Sequence, residues 1–516
     1  MEISKEQKDF CWATFKSMLE QRNRIIAKEL VLRYIVSGSN LPLRADLDGV
    51  FDDGAFNGFH EAIENDGWDI VKMINELPHI YSEAGAYTNH ALHVLAKLSK
   101  AEDKKLTSYA MNTGVAISMN GKDILTFAAL ISYYRGFGRS VKRILGEWYL
   151  QMDPRKMVEH VLINRKVTVT FRENSLKKES ITFSHRNLVR RLHLRGSDDV
   201  QDACLRIVKG YRGEPNEVPM MFRILNEINQ LDWNAAGSIH VAINYSKGVT
   251  FPSKVYCKEL QQNAKFMEHM FFSGSMSYEE WRVRFQVGLT DFLSDAHADR
   301  IVFLMKGWIE RQQMHPVDLL VIRQMLRKKG GFDTLVDEMS NLYYSLPVER
   351  EEDTASLVFL KHESDNEIPV IHAYDKAYRL GGNLAICGEG LFPLDVKPVH
   401  IDDLLYHLPT FTKGMQLMQS TGMFHILNAS QVQFKKVYVA ERDFTVRQHE
   451  AFLNALDAYV TGKSPKVRII HHVLNNDIFE EKGALLAEPR HGNIMTVYGA
   501  NPEDLFAIET FLLATK

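Results

Sequence analysis

The segment Val348-Glu-Arg-Glu-Glu-Asp353 separates two textures of sequence, and the periodicities on its two sides decide the fold. Upstream, from about residue 20 to 345, apolar residues recur at three- and four-residue steps, the pattern of helices that bury one face. Clear cases are Phe56–Leu77, His90–Leu98, Arg139–Leu150, Asn187–Leu194, Val218–Leu231, Tyr278–Leu293 and Ile301–Ile309, punctuated at Gly136, Pro154, Gly196, Gly213, Pro215, Gly330 and Gly331. Short helices with tight connections predict a helical array of the solenoid type rather than a bundle, although no strict sequence period accompanies them. Within this half, Lys166–Phe171 alternates and Glu179–Phe183 is β-prone, so Arg172–Lys178 is predicted as a hairpin loop. Downstream, the short apolar runs Ser356–Leu360, Asn383–Cys387, Lys436–Ala440, Lys466–His471 and Ile494–Tyr498 alternate with helical patterns such as Gln448–Val460 and Pro502–Leu513. That alternation predicts an α/β domain with a mostly parallel sheet.

A chain of 516 residues calls for two or three domains, and 45% hydrophobic with 25% charged residues is the balance of a globular protein. No apolar run reaches the eighteen residues of a membrane span, and the charged N-terminus has no apolar signal region. Cys11, Cys204, Cys257 and Cys387 lie far apart without paired spacing, which argues against a disulfide framework or zinc site and for a reducing compartment. The expected localisation is cytoplasmic, with the nucleus as a second compartment.

The net charge of −3 hides a strong asymmetry. Between Ile131 and Arg195 fifteen Lys/Arg face five acids, an excess of ten, so the rest of the chain carries −13. Such segregation is the footprint of a polyanion-binding surface. In Gly138-Arg-Ser-Val-Lys-Arg-Ile-Leu-Gly-Glu-Trp148, Val141, Ile144, Leu145 and Trp148 form the buried stripe, while Arg139, Lys142 and Arg143 share another face. Ser184 is placed to cap a helix over His185–Arg195, with Leu188, Val189 and Leu192 inward and Arg186, Arg190 and His193 aligned outward. Stacked like charges repel on an isolated helix, and phosphates would offset that cost. Phe137 and His185 are the rings expected to stack on unpaired bases. For any single arginine here a solvated helix face is the better reading; the cluster as a whole favours phosphate.

These residues resemble the TROVE module of Ro autoantigens. Phe137-Gly138-Arg139, Lys142-Arg143 and Trp148-Tyr149, followed by Ser184-His185-Arg186-Asn-Leu188 and His193-Leu194, follow its pattern. Leu32-Arg-Tyr-Ile-Val-Ser-Gly38 looks like its opening signature, and Trp68–Ile74 and Ile124–Phe127 fit its intervening helices, so the likeness spans roughly residues 24–345. The resemblance implies a ring of HEAT-like helical repeats whose basic outer surface holds small structured Y RNAs and whose central hole admits single-stranded ends of misfolded small RNAs. It implies RNA contact by His185 and by the helix of Arg139, Lys142 and Arg143. The hairpin-like stretch 166–182 looks like an insertion beside His185.

The C-terminal half is similar to that family's von Willebrand A domain: Asn383–Val396 with Ile401–Pro409, then Val437–Asp443, then Arg468–Val473 with Gly483–Leu513. Such domains bind a divalent cation through hard oxygen ligands. Here Leu360-Lys-His-Glu-Ser364 stands at the first motif, Thr412-Lys413 at the second and Arg442-Asp443 at the third, leaving only Ser364, Thr412 and Asp443 as remnants. The metal site is expected to be lost, and no cofactor is expected. His471-His472 with His491 lack zinc-ligand spacing, and the Arg-Lys-Lys ending Val321–Lys329 suits a helix C-terminus without a ligand. Gly381-Gly382 and Gly388-Glu-Gly390 read as strand-end turns, and no catalytic triad or nucleophile elbow occurs.

The expected division is an N-terminal extension 1–23, a helical-repeat RNA-binding domain 24–345, a linker 346–355 and a degenerate von Willebrand A-like domain 356–516. The expected function is non-enzymatic binding of small noncoding RNA in RNA quality control, by Phe137, Arg139, Lys142, Arg143, His185, Arg186 and Arg190. The expected partners are that RNA and proteins on the C-terminal domain, with no membrane. The alternative is a protein–protein scaffold without specific RNA binding.

Overall fold

The computed structural model describes residues 31–35, 50–52, 63–77, 88–152, 166–194, 227–248, 256–282, 294–348, 353–359, 367–412, 433–441, 454–474, 494–498 and 505–512, a few short gaps within these spans excepted. The N-terminal extension and much of 195–255 and 413–432 lie outside the described residues.

The first part is built of helices that pack on their sequence neighbours: α1 (Gly67–Glu76), α2 (Thr88–Leu98), α3 (Lys104–Ala116), α4 (Gly121–Tyr134), α5 (Arg139–Leu150) and α6 (His185–Leu192). Further along come α7 (Ser238–Gly248), α8 (Lys258–Gln262), α9 (Ala264–Ser273), α10 (Ala298–Glu310), α11 (Val317–Lys329) and α12 (Asp333–Ser345). Their starts are chemically marked. Asn120 and Asp123 form a reciprocal capping box at α4, and Asp103 caps α3 through the Lys105 amide. α4 is apolar nearly all round and sits at the centre, against α2 on one side and a small sheet on the other.

That small sheet has the order β1 (Val50–Asp52), β2 (Lys166–Glu173), β3 (Leu176–Ser184). The hairpin expected from the alternation is present but longer, because both strands extend into the stretch read as loop. β1 joins it in parallel, with Phe51 opposite Phe171, a partner that three residues of sequence do not advertise. Val169, Phe171 and Phe183 are buried on its inner face, where Phe171 stacks on Tyr133 of α4 with centroids 3.7 Å apart.

The C-terminal part is a six-stranded sheet with α13 (Glu367–Arg379) and α14 (Ile401–Thr412). Its strands are β4 (Thr354–Phe359), β5 (Asn383–Cys387), β6 (Leu391–Leu394), β7 (Lys436–Glu441), β8 (Arg468–Val473) and β9 (Ile494–Tyr498), in the order β6-β5-β4-β7-β8-β9. All neighbours are parallel except the edge strand β6. This is a doubly wound arrangement whose strand order reverses at β4/β7. β4 takes Thr354 and Ala355 into the sheet, so the connection from α12 ends before the expected 355. One sheet face, including Val358, Tyr438, Ala440 and Ile470, continues the buried cluster of the helical part; the other packs on Leu456, Tyr459 and Val460.

Candidate nucleic-acid interface

Basic helices meet at the junction of α5, β3 and α6. β3 ends at Ser184, whose hydroxyl accepts the Asn187 amide at 3.2 Å and so starts α6 without any linker. Val141, Ile144, Leu145, Gly146, Trp148 and Tyr149 bury one face of α5; Leu188, Val189 and Leu192 do the same for α6. The two helices pack against each other, and Gly146 permits this: a Cβ there would lie 2.9 Å from Leu194 Cδ2.

The apolar stripes leave the cations outside. Arg139, Arg143, Arg186 and Arg190 are exposed and Lys142 is partly so; among the described residues none of the five has a carboxylate partner. Arg139 and Arg143 stand one turn apart, as do Arg186 and Arg190, a like-charge spacing that disfavours each helix by about 0.2–0.5 kcal/mol per pair. α11 makes the contrast. Its terminal cations, expected only to face the helix dipole, are engaged by acids of the C-terminal part, Arg327 with Asp402 at 2.7 Å and Lys328 with Glu367 at 2.8 Å. Buried Arg323 also bonds Asp402.

One aromatic expectation and one helical one are corrected. His185 is fully buried, its Nδ1 bonded to the Tyr149 hydroxyl at 2.6 Å and its ring stacked near Trp148, so it has no face for a base. Phe137 is partly buried and lies against Phe183 at 5.5 Å, with the Arg191 guanidinium over both rings. It joins the α4–α5 turn, the hairpin and α6, and keeps part of its ring exposed. His193 leaves the helical face altogether: α6 ends at Leu192, and His193 takes a left-handed conformation at φ 51°.

The position where a von Willebrand A domain holds its cation lies outside the described residues at Ser364 and Asp443; Thr412 is the last residue of α14. His471 and His472 are both buried, on opposite faces of β8, and His472 Nδ1 bonds Tyr438 at 2.6 Å. A different cluster, missed in the sequence because its members are 60 to 194 positions apart, joins His315, Asp375 and Glu509. Their ligand atoms lie close enough to hold a metal, but the Lys376 ammonium is already among them, 2.7 Å from Glu509 Oε1 and 3.3 Å from Asp375 Oδ2. The cation of this site is the lysine. His315 Nδ1 accepts the Val317 amide, so Nε2–H donates to Glu509 at 2.8 Å. Burial, then Lys376, lowers the His315 pKa to about 4, which keeps the ring neutral. Burial alone would raise Glu509, but Lys376, His315 and Arg379 outweigh it and hold the carboxylate well below its usual range.

The architecture is one of helices stacked on their neighbours and joined to a doubly wound sheet. No protein-family model and no curated protein matches the sequence. Among solved structures, the Ro (RSR) protein of Deinococcus radiodurans superposes with a TM-score of 0.60, over 94% of this chain and 100% of that one, at 13% identity. The chain has the Ro fold.

Proposed function

We propose that this chain binds small structured noncoding RNA, Y-RNA-like or misfolded, as a ribonucleoprotein component in RNA quality control, without itself catalysing a reaction. The observation that carries this reading is the set of five cations on α5 and α6, exposed on adjoining helices and without acidic partners among the described residues. A phosphate backbone would relieve their mutual repulsion. The Ro fold supports the same reading through the family resemblance of these segments.

The test is a salt titration of the full chain with a labelled small hairpin RNA. Affinity should fall steeply with ionic strength, and replacing Arg139, Lys142 and Arg143 together with Gln should flatten the log–log slope by about three while leaving the melting temperature unchanged. Absence of RNA binding at low salt would refute the reading and leave the protein–protein scaffold.

A further inference from the structure

We infer that the outer face of the β2–β3 hairpin is a second polyanion surface that holds the sugar–phosphate backbone of a base-paired RNA stem. This inference extends the RNA-binding reading and rests on it. The strand register fixes which residues share the face: Lys166 with Ser184, Thr168 with Thr182, Thr170 with Ser180, and Arg172 with Lys177. Alternation puts all eight opposite the buried Val169, Phe171 and Phe183. The face is therefore a ladder of hydroxyls with cations at both ends. Lys166, Thr168, Lys177, Ser180 and Thr182 are exposed, and Arg172 is partly so. Register sets Asp52 of β1 beside Arg172, so cations outnumber acids at these positions by three to one. Glu179, opposite Phe171, belongs to the other parity.

The chemistry of the ladder is specific. Thr168 and Thr182 hydroxyls are 2.9 Å apart, and those of Thr170 and Ser180 are 3.1 Å apart. In each pair one hydroxyl donates to the other, and the acceptor keeps its own hydrogen for an outside oxygen. Hydroxyls and cations are phosphate-contacting groups, and hydroxyls also meet ribose 2′-OH groups. No described residue of β2 or β3 puts an aromatic ring on this face, so unpaired bases find nothing to stack on. A paired stem, read by its backbone, is the occupant that fits. The ladder also leads into the exposed cations of α6, because Ser184 belongs to both β3 and the helix cap.

Cross-strand threonine pairs also stabilise a hairpin by themselves, so the experiment must separate the two roles. The full chain is titrated at several KCl concentrations with a labelled RNA duplex of mixed sequence and with one of its strands alone. Lys166→Gln with Lys177→Gln should flatten the salt slope for the duplex by about two. Thr168→Val with Thr182→Val should weaken duplex binding by about tenfold, with a smaller change for the single strand. Valine suits a strand, and an unchanged melting temperature certifies the fold. Unaltered duplex binding in both variants, while the Arg139, Lys142 and Arg143 triple variant still loses affinity, would overturn this inference alone. Equal losses for the single strand would overturn the assignment to a paired stem. Failure of the parent chain to bind either RNA would remove the RNA reading and this surface with it.

Discussion

His93 and His185 sit in similar settings at different places in the helical part. His93 is buried between the hydroxyls of Tyr34 and Tyr134, and His185 is bonded to that of Tyr149. Burial, then the nearby Lys97 and His90, keep the His93 pKa well below its ordinary value, so that ring is neutral. His185 acts on any ligand only by holding α5 against α6. Replacing it with Ser removes the 2.6 Å bond to the buried Tyr149 hydroxyl and opens a gap between α5 and α6, at a cost of about 1–3 kcal/mol. We expect His185→Ser to lower the melting temperature and RNA affinity together, and His185→Gln, which can still accept from Tyr149, to restore part of both. A loss of affinity in a fully stable His185→Ser chain, read by calorimetry alongside titration, would return the residue to the interface. The sequence placed His185 correctly at the start of a helix, through Ser184, but a histidine next to Arg186 carries no mark of burial. Its ring is covered by Trp148 and Tyr149 from a helix that ends 35 residues earlier.

Short elements pose a different difficulty. The strands β4, β5, β7, β8 and β9 were legible because buried parallel strands are continuous apolar runs with helical patterns between them. β1 and β6 were not: three or four residues give no period, and β1 meets its partner β2 about 120 positions away. Gly381-Gly382, read as a strand-end turn, has a firmer basis in space. Gly382 takes φ +102°, and a Cβ there would fall 1.8 Å from the Thr354 carbonyl oxygen, at the first residue of β4. The turn after α13 therefore needs glycine both for its dihedral and for the approach of β4. Gly382→Ala should destabilise the chain by more than about 2 kcal/mol, since dihedral strain and backbone overlap add. Chemical denaturation measures this, and a loss below about 1 kcal/mol would show that the turn relaxes without difficulty. Gly146, by contrast, faces only the flexible tip of Leu194, and Gly146→Ala should cost less than Gly382→Ala.

For the whole molecule, the governing fact is how differently its charges are used. Cations of α5, α6 and the hairpin face solvent, whereas those of α11 and α13 tie the helical part to the sheet. Lys376, fully buried on α13, is bonded to Glu509 and lies beside Asp375 and His315; His315 precedes α11. Removing the ammonium as Lys376→Met leaves buried carboxylates unbalanced, which costs about 3–5 kcal/mol. Adding Glu509→Gln should recover part of that loss, and no recovery would mean that the cluster does not act as a unit. The same cluster gives a pH signature with a definite sign. Unfolded, His315 takes up its proton near pH 6.5; folded, it resists until about 4. Acidification through that window therefore favours the unfolded chain, and the contribution of neutral His315 is present above pH 6.5 and lost as pH falls towards 4. Asp318, raised by burial to about 7, works in the opposite direction: its contribution is present below its unfolded value near 3.8 and lost as pH rises through 7. Whole-chain stability thus blends the two, and only a difference between chains isolates the histidine. Subtracting the His315→Gln stability profile from that of the parent should leave a curve that declines from pH 6.5 to 4, whereas a flat difference would mean that His315 is protonated in the fold and pairs with Glu509 as an ion.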